Sequence, residues 1–272
     1  MSGNTIHPMA QVSSGAQLEG VTVGPFAVIE EGVQIGSGTV VGAGAILKRG
    51  TLIGADNRIG EHAVLGGLPQ DLHFDPKTES GVRIGDRNVI RELANIHRST
   101  RAGAFTEVGD DNYLMVGCHL GHDVKVHHHV IIANYSLCAG FVEVMDHAFI
   151  SGNCAIHQFV RIGRFVMVAG ITKLPQDAPP FSLIEGTPGR YRTINSVGLK
   201  RGGVPGADRD RIKHYYRTLY LRHASRAAAL SELEAGELCE YGRELVSFVK
   251  ASRRGIVSGP ERGGVTAEGA GE

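Results

Sequence analysis

The chain has 272 residues with 28 basic and 28 acidic side chains, so its formal net charge is zero. A balanced charge without any Lys- or Arg-rich block argues against a nucleic-acid partner. Glycine is abundant, at 38 residues, tryptophan is absent, and aromatic residues make up only 6% of the chain. This composition indicates many tight turns and a core of small, branched side chains.

The N-terminal residues lack the basic and apolar segments of a signal peptide, and no apolar run approaches the length of a membrane span. We therefore expect a cytoplasmic protein without an integral membrane segment. The four cysteines have no C-x-x-C spacing, so we expect reduced thiols that act as small buried side chains: Cys118, Cys138, Cys154 and Cys239.

A six-residue repeat dominates the first two thirds of the sequence. Every sixth residue from Val23 to Leu65 is Val, Ile or Leu, and so are thirteen of the fifteen at this step from Ile84 to Val168. The exceptions are Ala102 and Cys138. A period of six fits neither a lone amphipathic helix nor an alternating strand. It is typical of a parallel β-helix, in which three hexapeptides close an 18-residue coil.

The repeat also suggests how the chain is divided. Leu65 and Ile84 are 19 residues apart, one more than a coil, and the polar, turn-rich segment between them predicts a protruding loop near residues 66–83. Beyond Pro180 the repeat stops, and the spacing of apolar residues becomes helical. We predict a β-helix over residues 1–185, a C-terminal α-helical domain over 186–254 and a disordered tail over 255–272.

An 18-residue coil stacks residues that are 18 positions apart, so columns of side chains on the wall follow from the sequence. One column holds His122, Gly140 and Gln158, and Asp123 begins the next. Three successive coils therefore bring six candidate residues to one corner: His119, His122, Asp123, Gly140, His157 and Gln158.

This group suits acyl transfer assisted by a general base. A histidine can accept a hydroxyl proton at neutral pH, and a neighbouring carboxylate fixes its tautomer. A glycine leaves its backbone N–H open to a ligand, where it can stabilise the oxyanion of a tetrahedral intermediate. We predict His122 as the base, Asp123 as its partner and Gly140 as the oxyanion donor.

Three consecutive histidines, His127, His128 and His129, raise the alternative of a metal-dependent lyase. Adjacent residues of an extended chain point to different sides, so these three side chains cannot easily face one ion. We interpret them as polar corner residues, and a metal bound at a subunit interface would support the alternative.

Several motifs resemble those of the UDP-N-acetylglucosamine acyltransferases that begin lipid A synthesis. The resemblance covers residues 5–255, including the helical C-terminal part. The motifs that carry it are Pro69-Gln70-Asp71-Leu72, Ile84-Gly85-Asp86-Arg87-Asn88, Ile96-His97-Arg98, His119-Leu120-Gly121-His122-Asp123, Ala155-Ile156-His157-Gln158-Phe159 and Gly198-Leu199-Lys200-Arg201.

The resemblance implies a left-handed β-helix and a homotrimer with active sites between adjacent β-helices. It implies transfer of an (R)-3-hydroxyacyl group from acyl carrier protein to the 3-hydroxyl of UDP-N-acetylglucosamine, without a metal or a dissociable cofactor. It also implies that His122 is the base, Asp123 its partner and Gly140 the oxyanion hole. The implied substrate contacts are Asp71, His73, His119, His157, Gln158, Asn195 and Arg201, and Gly170 limits the acyl length.

Four positions depart from the family's pattern. Phe141 replaces an active-site histidine, His73 a lysine, Val197 an acidic nucleotide contact, and Gly202 the second of two adjacent arginines. Losing an arginine removes a bidentate phosphate contact. Two alternatives therefore stay open. The protein could be an acyltransferase for a different nucleotide sugar, with an amine as acceptor, or an inactive trimeric binding protein.

Overall fold

The computed structural model describes residues 3–222 and 225–260. The larger part of these residues forms a parallel β-helix. Most strands are two residues long, because each is followed by a corner. The described strands, in chain order, are β1 (Thr5–Ile6), β2 (Gln11–Val12), β3 (Gln17–Leu18), β4 (Thr22–Val23), β5 (Val28–Ile29), β6 (Gln34–Ile35), β7 (Val40–Val41), β8 (Ile46–Leu47), β9 (Thr51–Ile53), β10 (Arg58–Ile59), β11 (Val64–Gly67), β12 (Gly81–Ile84), β13 (Val89–Ile90), β14 (Asn95–His97), β15 (Phe105–Val108), β16 (Tyr113–Leu114), β17 (His119–Leu120), β18 (Lys125–Val126), β19 (Ile131–Ile132), β20 (Leu137–Cys138), β21 (Glu143–Val144), β22 (Phe149–Ile150), β23 (Ala155–Ile156), β24 (Arg161–Ile162), β25 (Met167–Val168), β26 (Lys173–Leu174), β27 (Ser182–Gly186) and β28 (Gly189–Ile194).

The strands form three walls, each a sheet to which every coil contributes one strand. The first wall runs from β1 to β25 in steps of three and ends with β27 and β28. The second runs from β2 to β26, and the third from β3 to β24. In the second wall His119 pairs with Leu137, and Leu137 pairs with Ala155. Each step is 18 residues, so the predicted stacking of columns around His122 is confirmed.

The core is a stack of aliphatic side chains along the axis of the β-helix. The second residue of most two-residue strands points inward, and Ile29, Leu47, Ile96 and Leu120 are all less than 2% exposed. Burying one such side chain stabilises the fold by about 1.5–3 kcal/mol. Three free cysteines are buried in this core: Cys118, Cys138 and Cys154.

The corners of the coils turn through residues with positive φ, many of which are not glycine. In the column that begins with Asp123, φ is 60° at Asp123, 62° at Phe141 and 66° at Phe159. L-residues rarely adopt this region, and each visit costs free energy. Ring stacking offsets part of that cost here, since the centroids of Phe141 and Phe159 are 4.7 Å apart and the rings are nearly parallel.

Two segments leave the regular walls. The first, residues 68–80, lies between β11 and β12 and is called the protruding loop below. The second, residues 98–103, lies between β14 and β15 and is called the short excursion. It makes the step between paired residues 24 instead of 18, as at Ile84 and Val108.

The short excursion was hidden by its length, because six extra residues leave the hexapeptide register unchanged. The sequence pattern assigned Ala102 to the inward-pointing series, and that assignment is wrong. Ala102 is exposed, whereas the other irregular member, Cys138, is fully buried. The alanine at position 102, where the repeat calls for a branched aliphatic residue, therefore marks the excursion.

The β-helix ends in a hairpin, followed by helices. β27 pairs with β25 and then, antiparallel, with β28, so the first wall continues to Ile194. The predicted boundary at 185/186 therefore falls inside β27. The described helices are α1 (Ser196–Arg201), α2 (Gly206–Arg217), α3 (Arg226–Ala235) and α4 (Glu240–Lys250), with a π-helical turn at Thr218–Arg222.

The chain returns to the β-helix after α4. Ile256 and Val257 are almost fully buried, and the Val257 N–H donates to the backbone oxygen of Asp177 at 2.9 Å. The prediction of disorder from residue 255 is therefore wrong for residues 255–260, because two apolar residues dock on the last coil. Residues 261–272 lie outside the described residues. Among the helices described, none is long and apolar enough to cross a bilayer.

Candidate active site

A groove of about 410 Å³ lies on the corner where β17, β20 and β23 end. Its walls combine imidazoles, small residues and one amide from the protruding loop. The lining residues are Gln70, His97, His119, Gly121, His122, Leu137, Ala139, Gly140, Ala155, Ile156 and Gln158.

His122 and Asp123 form an oriented pair beside this groove. Nδ1 of His122 lies 3.0 Å from Oδ2 of Asp123. A carboxylate can only accept hydrogen bonds, so the proton belongs on Nδ1 and the lone pair on Nε2. The ring of Phe141 packs edge-on against the His122 imidazole, with the centroids 5.2 Å apart. The imidazole therefore has one tautomer and one orientation, as a base requires.

Asp123 is held ionised by the short excursion. Oδ1 accepts from the Ser99 hydroxyl at 2.5 Å and from Arg101 Nε at 3.0 Å, and Oδ2 accepts from the hydroxyl and N–H of Thr100 at 2.6 and 3.0 Å. Burial is the largest influence and raises the pKa of this carboxyl. The hydrogen bonds from Ser99, Thr100 and His122 together outweigh it, so the pKa of Asp123 lies well below its usual range.

Gly140 stands directly beside the His122 imidazole. A Cβ on Gly140 would lie 2.5 Å from Cε1 and 2.6 Å from Nε2 of His122. The absence of a side chain therefore makes room for the imidazole. Within the described part of the chain, the Gly140 N–H donates no hydrogen bond, so it is available to a ligand.

The corresponding N–H groups at another corner are all used. The Asp86 N–H donates to Asp110 at 2.8 Å, the Asp110 N–H to Nδ1 of His128 at 3.0 Å, and the His128 N–H to Asp146 at 2.9 Å. A side chain from the next coil covers each donor. The column with His122 and Gly140 lacks this ladder. Gly140 has no side chain to cover the His122 N–H, and among the described residues the Gln158 side chain makes no hydrogen bond to the Gly140 N–H.

His97 belongs to the groove, although the sequence singled out only its motif. It is 6% exposed, its ring packs edge-on against His119 at 4.7 Å, and its Nδ1 is buried without a hydrogen-bond partner among the described residues. Burial and, secondarily, the nearby His119 and His122 lower the pKa of His97 to about 4. Burial also lowers the pKa of His119. Both rings are therefore neutral at pH 7.

The depressed pKa of His97 predicts a loss of stability in mild acid. An unfolded histidine titrates near 6.5, so below that pH the unfolded chain binds a proton that the folded chain does not. The stability is fully present above pH 6.5 and is lost as the pH falls towards 4, by roughly 2–3 kcal/mol from this group.

This prediction is checked by unfolding the wild type and His97→Phe in urea at pH 7 and pH 4.5. The wild type should lose more free energy of unfolding than His97→Phe, because phenylalanine cannot titrate. His62→Phe, at an exposed corner, serves as the control. An equal pH dependence in all three proteins would contradict the buried, neutral state of His97.

Of three predicted substrate contacts on the β-helix, two line the groove and one does not. His119 and Gln158 line the groove. His157 is exposed, and its Nδ1 lies 3.1 Å from the backbone oxygen of Gln158. The stacking of coils therefore brings all three to one corner, but only two of them face the groove.

Gly170, the predicted limit on acyl length, lies at another corner of the β-helix. It ends a column that contains Asn134 and Gly152 in the two preceding coils, and it is exposed. It is not among the residues that line the groove. A Cβ on Gly170 would meet only ordinary contacts, the nearest at 3.5 Å, so the structure leaves open space there.

Neither of the two predicted residues of the protruding loop lines the groove. Oδ1 of Asp71 accepts from the backbone N–H of His73 at 2.9 Å, which forms a local turn. The side chain of His73 is exposed. The loop residue that does line the groove is Gln70.

Asn195 and Arg201 lie at the two ends of α1, away from the groove. The Asn195 side chain caps α1 by accepting from the Gly198 N–H at 2.9 Å, and it donates to the Phe165 backbone oxygen at 2.9 Å. Arg201 lines a second cavity, of about 740 Å³, between α1 and α2. Basic residues dominate its lining: Lys200, Arg201, Arg209 and Lys213, with Asp210.

The three consecutive histidines take separate partners. Nε2 of His127 lies 3.0 Å from Glu143, Nδ1 of His128 accepts from the Asp110 N–H, and His129 stacks on His147. In the described residues, no group of three or more His, Cys, Asp or Glu side chains is arranged to hold a metal ion.

Sequence reasoning missed the residues that support the site from the two excursions. Gln70, His97, Ser99, Thr100 and Arg101 all belong to, or flank, segments that leave the walls. The signal for the short excursion was Ala102, the one small residue in the inward series that is not buried.

Known proteins share this architecture. The family model described as UDP N-acetylglucosamine O-acyltransferase, domain 2, matches residues 177–257, and the bacterial transferase hexapeptide model matches residues 18–49. An acyl-[acyl-carrier-protein]–UDP-N-acetylglucosamine O-acyltransferase of Paraburkholderia phymatum is 43% identical over 259 residues, which cover 93% of this chain and 98% of the relative. The chain belongs to the UDP-N-acetylglucosamine O-acyltransferase family.

Solved structures of the family agree with this assignment. The UDP-N-acetylglucosamine acyltransferase of Francisella novicida superposes with a TM-score of 0.91 at 32% identity, over 94% of this chain and 95% of the other. The enzyme of Bacteroides fragilis superposes with a TM-score of 0.90 at 36% identity, over 92% of this chain and 99% of the other. The predicted fold of this family member, a left-handed parallel β-helix with C-terminal helices, is confirmed.

Proposed function

We propose that this family member transfers an (R)-3-hydroxyacyl group from acyl carrier protein to the 3-hydroxyl of UDP-N-acetylglucosamine, the first step of lipid A synthesis. The relatives are named for acyl transfer between these two substrates. The observation that carries the proposal is the His122–Asp123 pair, whose imidazole lies against Gly140 in the groove.

In the proposed mechanism, Nε2 of His122 takes the proton of the sugar hydroxyl as its oxygen attacks the thioester carbonyl. Asp123 stabilises the imidazolium that forms. The Gly140 N–H donates to the oxyanion of the tetrahedral intermediate. When the intermediate collapses, the carbon–sulfur bond breaks and His122 returns the proton to the departing thiolate.

We further propose a homotrimer in the cytoplasm. Large apolar side chains remain exposed on the β-helix, among them Leu137 in the groove, Phe159 and Ile171, and Leu72 at the protruding loop is fully exposed. Exposed apolar surface of this kind is typical of a subunit interface. Light scattering should then give three times the mass of the 29.0 kDa chain.

The remaining substrate contacts are proposed from the resemblance and from position. His119 and Gln158 line the groove and would meet the sugar. Asp71, His73 and His157 are proposed as further contacts from the resemblance. The basic cavity that holds Arg201 suits the phosphates of the nucleotide or the acidic carrier protein. Asn195 would support the nucleotide from the start of α1, and Gly170 would leave room for the acyl chain.

The test is to mix the purified protein with UDP-N-acetylglucosamine and a series of (R)-3-hydroxyacyl carrier proteins, and to follow the product by mass. One acyl length should give a product with an ester at the sugar. The 3-amino analogue of the sugar is tested alongside, because Phe141 places a ring without hydrogen-bonding groups against His122. A product with the amine alone would support the alternative acceptor, and no product with either would favour the inactive binding protein.

A further inference from the structure

Residues 68–78 of the protruding loop make few hydrogen bonds to the β-helix. Four hydrogen bonds join its residues to one another and form turns that begin at Asp71 and Asp75. In the described part of the chain, just one hydrogen bond from residues 68–78 reaches outside the loop, and its donor is Arg98. The end of the loop is tied to the short excursion, because the Ser80 hydroxyl donates to the Ser99 oxygen and the Glu79 oxygen accepts from the Gly103 N–H. For residues 68–78, Arg98 supplies the one hydrogen bond to the rest of the described chain.

Arg98 contacts the loop at two points and the strand before it at a third. Its backbone N–H donates to the Gly67 oxygen at 2.9 Å, at the base of the loop. Its Nη2 donates to the Pro76 oxygen at 2.8 Å, and its guanidinium carbon lies 5.4 Å from the centroid of the Phe74 ring. The hydrogen bond has a charged donor and the ring contact is a cation–π contact, so both hold the loop through the guanidinium.

The same segment of chain is tied to the groove. Arg98 follows His97, which lines the groove, and precedes Ser99, whose hydroxyl donates to Asp123. The loop that Arg98 holds carries Gln70 into the groove lining. One short stretch of chain therefore contacts both the groove and the loop that carries Gln70.

Part of the Arg98 side chain is unfavourable for stability. Nε of Arg98 is buried without an acceptor among the described residues. A buried, unpaired donor on a charged group is destabilising. The buried Nε of Arg98 therefore works against the stability of the fold, while its Nη2 and the plane of its guanidinium hold the loop.

We propose that Arg98 is a positioning residue for acyl transfer, which holds the protruding loop so that Gln70 meets the acceptor sugar. This inference rests on the proposed function. The role is indirect, because Arg98 is not among the residues that line the groove.

The experiment compares Arg98→Ala and Arg98→Lys with the wild type. Hydrogen exchange followed by mass spectrometry reports the loop directly, and steady-state kinetics report its effect on the acceptor. Arg83→Ala is the matched control, because the Arg83 guanidinium also lies over an aromatic ring, that of Phe105 at 4.2 Å, but makes no contact with the loop.

In Arg98→Ala, amides of residues 68–78 should exchange faster while those of the walls do not change. The KM for UDP-N-acetylglucosamine should rise about tenfold or more, with a smaller change in kcat. Arg98→Lys keeps a charged donor but loses the planar stack, so its loop exchange rates and its KM should lie between those of the wild type and Arg98→Ala. If the wild type transfers no acyl group, the proposed function fails, and the exchange data still decide whether Arg98 holds the loop. Unchanged loop exchange in Arg98→Ala, or an equal change in Arg83→Ala, would overturn the proposal.

Discussion

Replacing His122 by alanine is expected to lower kcat for acyl transfer by roughly 10²–10⁴, the usual contribution of a positioned general base. The imidazole is the proton acceptor in the proposed mechanism, and its Nδ1 is already bound to Asp123 at 3.0 Å. KM should change little, since the loss falls on the transition state. The measurement is steady-state kinetics on the folded variant.

The matched control is His128→Ala. His128 holds the equivalent corner position six residues later and lies outside the groove. Its removal should leave the rate within a factor of about two, as for a surface residue remote from the chemistry. A loss below threefold in His122→Ala, with the pH profile of the wild type, would remove His122 from the mechanism.

Gly140→Ala is expected to lower kcat by roughly 10²–10³, which is the effect of losing one oxyanion donor. The new Cβ would lie 2.5 Å from Cε1 of His122, so the imidazole must move and its bond to Asp123 must lengthen. The methyl group would also crowd the N–H. The fold should persist, because the atoms in conflict belong to the end of a side chain.

Gly152→Ala is the control on the same β-helix. A Cβ there meets only the Asn134 backbone oxygen within 4 Å, at 3.3 Å, which a small shift relieves. The thermal midpoint and kcat of both variants are compared with those of the wild type. Full activity in Gly140→Ala would show that neither the placement of His122 nor access to the N–H limits the reaction.

The repeat shows how much of this fold is local. Each inward aliphatic buries itself against equivalents 18 residues away, so one periodic pattern fixes strand, corner and column together. The stacking of His122, Gly140 and Gln158 followed from that pattern. The hairpin β27–β28 could not be predicted from that pattern. Its second strand pairs antiparallel with the first, and the six-residue repeat does not extend to it.

The sequence by itself determined the β-helix, the column of His122 and Gly140, and the place where the protruding loop leaves the wall. Only the tertiary structure decided what supports them. Ser99 and Thr100 reach Asp123 in the next coil, and Arg98 reaches Pro76 in the protruding loop. Such contacts depend on the path of irregular segments, which no periodicity encodes. A six-residue excursion in a six-residue repeat leaves no break in the pattern, so its path appears only once the chain is folded.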